Sequence, residues 1–165
     1  MTQDEYLDNL QRIYERHFNI EKNVVLFGET IDIHAEFCNI AGRTFITRKD
    51  VIDRCENYEY CYVKKLDTVT EEEIASYGRF LKKIVTEYIQ PGKDHMSTYV
   101  TGVIIGNTID DNAKKAVRKY SCSRVYSFYL KGWCDVRLIC IDLNSNETIT
   151  NKAGKRVQKV YHITP

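Results

Sequence analysis

The chain has 165 residues, enough to bury one sizeable core and short for two. Hydrophobic residues make up 43% and charged residues 28%, the composition expected of an ordinary soluble globular protein. The net charge of +1 provides no global field, so it supports neither a nucleic-acid partner nor a membrane surface.

Residues 2–18 read as an amphipathic helix, with Thr2 as its cap and Glu5 completing a capping box. Tyr6, Leu10, Ile13, Tyr14 and His17 form its apolar side. Asn23 to Gly28 carries Val24-Val25-Leu26-Phe27, a short strand or an apolar connection. Residues 29–38 alternate cleanly: Ile31, Ile33, Ala35 and Phe37 face one way, Asp32, His34 and Glu36 the other. Asn39 to Gly42 predicts a turn, with 43–47 returning as the second strand of a hairpin. Asp50 to Cys55 reads as a single helical turn and Glu59 to Leu66 as a third strand.

Thr68 to Gln90 predicts a helix with Thr70 as cap and Glu71, Glu72 and Glu73 in its first turn. Its stripe is Ile74, Tyr77, Leu81, Ile84, Val85 and Tyr88, Gly78 permits close packing, and Pro91-Gly92 ends it. Then comes the core stretch. Residues 97–105 are β-branched on both faces, as a strand covered on both sides requires. A turn at Gly106-Asn107 leads to a basic helix, Asp110 to Tyr120, and to two more apolar runs, Val125 to Leu130 and Val136 to Leu143. Strand, helix and strand at this spacing predict a parallel crossover. Beyond them lie a turn at 144–146, an edge strand at 147–150, a second turn and a last weak strand at 155–163. The fold class is α/β, with α+β the alternative. A central mixed sheet with an N-terminal hairpin is expected, in the order α-β-β-β-α-β-α-β-β. No repeat or linker interrupts the chain, so residues 1–165 are read as one domain.

Six cysteines form no C-x-x-C pair, so no zinc or other metal site is expected, and no cofactor. No signal peptide precedes the first helix and no apolar run approaches membrane-spanning length. A cytoplasmic protein with reduced thiols is expected.

Three groups are candidates for a site. Asp32, His34 and Glu36 share one strand face about 7 Å apart, a spacing open to a hard cation or to acid–base work, and equally to a solvated hairpin face. Glu59 on the third strand can join them. Lys114, Lys115, Arg118 and Lys119, followed by Arg124, make a basic face suited to phosphate, or simply a solvated helix surface. Trp133 after Gly132 either stacks on a ligand or closes the core. Twelve tyrosines against one tryptophan point to a half-buried sheet surface, or to a binding face that is apolar and wet together.

The order helix, strand, strand, strand, helix, strand, helix, strand resembles the common core of the PD-(D/E)XK nuclease-like fold, from residue 3 to about 143. That resemblance implies two carboxylates on a metal and a lysine at the phosphate, with acidic residue and lysine one residue apart on the third strand. The tripeptide occurs nowhere in this sequence; the nearest spellings are Glu59 with Lys64, and Asp32-Ile33-His34. The residues such a reading would use are Asp32, Glu36, Glu59 and Lys64. As a whole the chain is similar to small uncharacterised bacterial cytoplasmic proteins, a resemblance that implies no activity. The leading expectation is a non-catalytic interaction or regulatory module, with a protein partner or self-association. The alternatives are a phosphodiesterase with a degenerate site and a small-ligand binder at the carboxyl ends of the core strands.

Overall fold

Strands β1 (Asn19–Leu26), β2 (Glu29–Thr44) and β3 (Val51–Val69) form an antiparallel meander. Beyond it β4 (His95–Ile109) lies parallel to β3, and β6 (Trp133–Asp142) parallel to β4. The edge of β6 carries two short antiparallel strands, β5 (Ser123–Val125) and β7 (Glu147–Thr150). This computed structural model describes residues 1–44 and 51–162, among which the seven strands make one mixed sheet. Helix α2 (Glu71–Lys83) crosses from β3 to β4, and α3 (Asp111–Lys119) from β4 to β6. Helix α1 (Gln3–Tyr14) packs on the opposite face. The α/β class, the mixed sheet and the amino-terminal hairpin are those expected.

Each face buries its own core. On one, Ile74, Tyr77, Phe80 and Leu81 of α2 and Ala113 and Val117 of α3 cover Tyr62, Val100, Ile104, Val136 and Leu138. Gly102 makes the contact possible, since a Cβ there would stand 2.5 Å from Leu81 Cδ1. On the other face Tyr6, Leu10 and Tyr14 of α1 cover Val63, Val103, Ile105 and Ile139. Tyr161 joins this layer, its hydroxyl 2.8 Å from Tyr14 Oη and its carbonyl accepting from Tyr6 Oη. Thr2 and Glu5 form the expected capping box, and Thr70 and Asp110 cap α2 and α3.

The edge of β6 shows how a side chain replaces a strand. Between β5 and β7 the edge is completed by Asn151, which accepts from Leu138 N and donates to Val136 O. It is 2% exposed, and its amide mimics the missing peptide.

Several boundaries differ from the expectation. The predicted turn at Asn39–Gly42 is strand, because β2 continues to pair with β3 there, Asn39 opposite Asn57 and Gly42 opposite Arg54. The return at 43–47 is therefore not a new strand: 43–44 belong to β2, and 45–47 lie outside the described residues. The helical turn at 50–55 is replaced by the first residues of β3, with Asp50 outside the described residues. The expected strand Val125–Leu130 ends at Val125. Since β5 runs antiparallel to β6, residues 126–132 must reverse the chain, and Tyr126 N donates to Gly132 O across the loop. Ser127, Phe128 and Tyr129 adopt positive φ in this turn, and Phe128 is 97% exposed. The last weak strand is instead two 3-10 turns, Ala153–Arg156 and Gln158–Tyr161, tied to β7 by the Thr148 hydroxyl donating to Tyr161 O and Gln158 Nε2 donating to Thr148 O, with residue 163 outside the described residues.

Candidate functional site

The site begins where α2 ends. Residues Ile84–Tyr88 widen into a π turn, with Ile89 N bonding Ile84 O at 3.0 Å, before Pro91 stops the helix. The wider turn takes Tyr88 off the stripe that Ile74, Tyr77 and Leu81 continue. Its ring reaches β2 instead, where its hydroxyl donates to Glu36 Oε1 at 2.9 Å.

On β3, Tyr58, Tyr60 and Tyr62 recur every second residue and so share one face. Tyr62 lies beneath α2, fully buried, with His34 stacked on it at 4.7 Å. Beyond the helix the rings continue, Tyr58 and Tyr60 half-buried and Tyr88 exposed, before His95 and Tyr126 are buried again. Tyr88 stands edge-on to His34 (6.4 Å) and to Tyr60 (5.8 Å, 88°). Tyr60 lies nearly parallel to Tyr58 at 6.2 Å, Tyr58 to His95, and His95 meets Tyr126 edge-on. Seven rings thus form one band, each within reach of its neighbour. A cavity of about 350 Å³ opens on it, walled by Tyr58, Tyr60, Tyr88 and His95, with Glu36 at one side.

Electrostatics divides the polar groups here into two sets. Burial and the Glu36 carboxylate push the Tyr60 and Tyr88 phenols up to about 12, so both stay neutral donors. Tyr58 donates to Glu56 at 2.8 Å, and His95 is held by Thr98 Oγ1 and the Lys131 carbonyl. His34 is 4% exposed, and burial lowers its pKa against the opposing pull of Glu36 and Glu21. The imidazole is therefore neutral at pH 7. Its Nε2 lies 3.5 Å from Glu36 Oε1 without hydrogen-bond geometry. Tyr62 Oη likewise has no hydrogen-bond partner among the described residues. Glu36, 42% exposed, has no lysine or arginine partner among them either.

The candidates drawn from the sequence are dispersed. The β2–β3 ladder stops at the Ile33–Val63 pair, and Asp32 Oδ2 accepts the Lys65 amide at 2.7 Å. The expected alternation breaks at that point: Ile31 belongs to the α2 core, Ile33 and Ala35 to the α1 core. Asp32 thus turns to Lys65, whose ammonium also meets Asp4, whereas His34 and Glu36 join the aromatic band. Glu59 lies on the α1 face, 2.8 Å from Arg137, whose guanidinium covers the Tyr99 ring at 3.5 Å. Lys64 points to the other face and binds Glu29 at 2.7 Å. Asp32, Glu36, Glu59 and Lys64 do not converge. Among the described residues no group of three His, Cys, Asp or Glu side chains is placed to hold a metal ion.

The basic helix face is occupied from within the fold. Lys114 bridges Asp142 (3.0 Å) and Glu147 (2.8 Å), and Arg118 also binds Glu147, which pins α3 to β6 and β7. Lys115 is exposed. Trp133 packs edge-on against Tyr99 and, with Tyr99, Asp135 and Arg156, lines a second cavity of about 410 Å³. The tyrosine cavity lies beside the first residues of β4, not at the carboxyl ends of the core strands. The sequence signal for it was the period-2 run Tyr58, Tyr60, Tyr62.

The structure is that of an α/β domain with a preformed aromatic cavity, and no helix among the described residues is long and apolar enough to cross a membrane. Residues 2–163 match the model of one family, and the chain belongs to it: the domain of unknown function DUF8052. Comparisons with curated proteins and with solved structures gave no match.

Proposed function

We propose that this chain is a non-catalytic recognition module whose ligand enters the tyrosine-walled cavity. The observation that carries the reading is the aromatic band, which leaves the cover of α2 at Tyr62 and is accessible at Tyr60, Tyr58 and Tyr88. Binding sites are typically concave and aromatic with few, fixed polar groups. Here the Tyr58 and Tyr88 phenols and the His95 imidazole are held by their own hydrogen bonds, and the Tyr60 ring is held between Tyr58 and Tyr88. The nuclease-like alternative requires two carboxylates on one metal, whereas Asp32, Glu36 and Glu59 are spread over two faces and Lys64 is engaged by Glu29. A cytoplasmic setting is supported by six free cysteines, three of them buried. Burial pushes the Cys61 and Cys134 thiols up to about 12, which makes them packing groups rather than nucleophiles. A protein partner fits the exposed loop Phe128-Tyr129-Leu130, whose base touches the cavity through Tyr126 and His95.

The test is a chemical-shift map of the labelled chain against guanidinium, tetramethylammonium, phosphate, acetate and phenol. At least one is expected to shift Tyr58, Tyr60 and Tyr88 together in a saturable way. Shifts in none of the three, or cleavage of DNA or RNA with magnesium or manganese that Glu59→Gln abolishes, would overturn the proposal.

A further inference from the structure

We infer that the group this cavity receives is a fully alkylated ammonium cation, an inference that rests on the cavity being the ligand site. The first observation is a carboxylate in the cavity wall with no lysine or arginine partner among the described residues, unlike the carboxylates paired elsewhere on the sheet. Asp4 and Asp32 meet Lys65, Glu29 meets Lys64, Glu59 meets Arg137, and Asp142 and Glu147 meet Lys114. Glu36, the one carboxylate lining the cavity, meets a phenol and a buried imidazole. The second is the shape of the walls. Tyr60 and Tyr88 stand at 88° with centroids 5.8 Å apart, and Tyr58 extends the Tyr60 wall nearly in parallel. A ring face is electron-rich, and such faces beside a carboxylate attract a cation from several directions at once.

The polar groups decide which cation. The Tyr88 hydroxyl donates to Glu36 and the Tyr58 hydroxyl to Glu56, and both His95 nitrogens are bonded, so among the described residues of the wall Glu36 is the one charged acceptor. A primary ammonium or a guanidinium brings three to five N–H donors that need acceptors on all sides. A hard metal ion needs an oxygen cage that the described residues do not form. A trimethylammonium group has no N–H, is weakly hydrated, and is satisfied by ring faces and one diffuse negative charge. It can come from a free small molecule or from a methylated lysine of a partner protein.

The experiment uses the full chain and reads the Tyr58, Tyr60 and Tyr88 shifts. The probes are choline, its neutral isostere 3,3-dimethylbutan-1-ol, and a short peptide carrying trimethyl-lysine or plain lysine. Choline is expected to saturate and to bind about tenfold more tightly than the isostere, as cation–π attraction predicts. Glu36→Gln should weaken choline about tenfold, Tyr60→Leu should abolish binding, and Tyr60→Phe, which keeps the ring, should retain it. Tighter binding of the trimethyl-lysine peptide than of choline would identify a protein source, and the reverse a free metabolite. Equal binding of choline and isostere, or an unchanged Glu36→Gln, would overturn the inference. If choline and trimethyl-lysine are silent while phosphate or phenol shifts the same tyrosines, the cation falls and the site stands. If nothing shifts them, both fall.

Discussion

Glu36 and Glu59 lie on neighbouring strands, one residue out of register, and point to opposite faces of the same sheet. Glu59 meets Arg137, a guanidinium 7% exposed and covered by Tyr99, and becomes part of the core on its face. Glu36 meets Tyr88 and His34, neither of which neutralises it, and keeps its charge at the rim of a cavity. Two carboxylates of one hairpin thus serve different ends because different neighbours cross the sheet beside them. A carboxylate paired with a guanidinium joins the core, whereas one with no lysine or arginine partner among the described residues keeps its charge beside the rings.

The comparison has consequences for stability. The helix-covered part of the α2 face should behave as core: Leu81→Ala, at a site with no exposure, should cost about 2–5 kcal/mol by urea denaturation. A loss under half a kilocalorie would show that α2 is not docked. Next comes the contrast between the carboxylates. Glu59→Gln leaves the buried Arg137 uncompensated and should cost about 1–3 kcal/mol, discounted because Glu59 is partly exposed. Glu36→Gln should change stability by about 0.5 kcal/mol or less. Equal losses would erase the distinction drawn here.

The pH response sharpens it further. His34 has a lowered folded-state pKa, with Glu21, Glu36, Tyr62 and Tyr88 around it. Above about pH 6.5, the ordinary histidine value, both states are neutral and the group contributes nothing. As pH falls below that value the unfolded chain takes the proton first, so stability declines until the folded value is reached. The urea midpoint should therefore drop between pH 7.5 and 5.5, and less so in His34→Phe. An identical drop in both proteins would remove His34 as the cause. Smallest of all is Phe128→Ser, expected to shift the melting free energy by about 0.5 kcal/mol or less, because the ring is 97% exposed. A core-sized loss would restore the strand that the apolar run Val125–Leu130 suggests.

The helix starts were legible because capping is local: Thr2 with Glu5, Thr70 before three glutamates, and Asp110 act within one turn. The core strands were legible because double burial writes unbroken β-branched runs, as in Val100–Ile105. The paired tyrosines of β3 were visible too, yet nothing local told a solvated face from a cavity wall. Tyr88 shows the limit. Its helical spacing placed it on the α2 stripe, and the π turn, imposed where the chain must leave the helix for β4, delivered it to Glu36. The apolar run 125–130 misled for a similar reason, since β-propensity does not reveal that β5 and β6 are antiparallel and that the loop between them has no core to enter.

By itself, then, the sequence determined the α/β order, the helix caps, the two-sided core strands and the want of any spelled-out catalytic motif, since each depends on residues close together in the chain. Only the tertiary structure decided which charges are neutralised. Lys114 finds Glu147 and Asp142, Arg137 finds Glu59, and Glu36 is left to the rings. Those pairings join residues 28 to 78 positions apart, and Coulomb attraction acts on distance through space, which the register of the sheet sets and the order of residues does not.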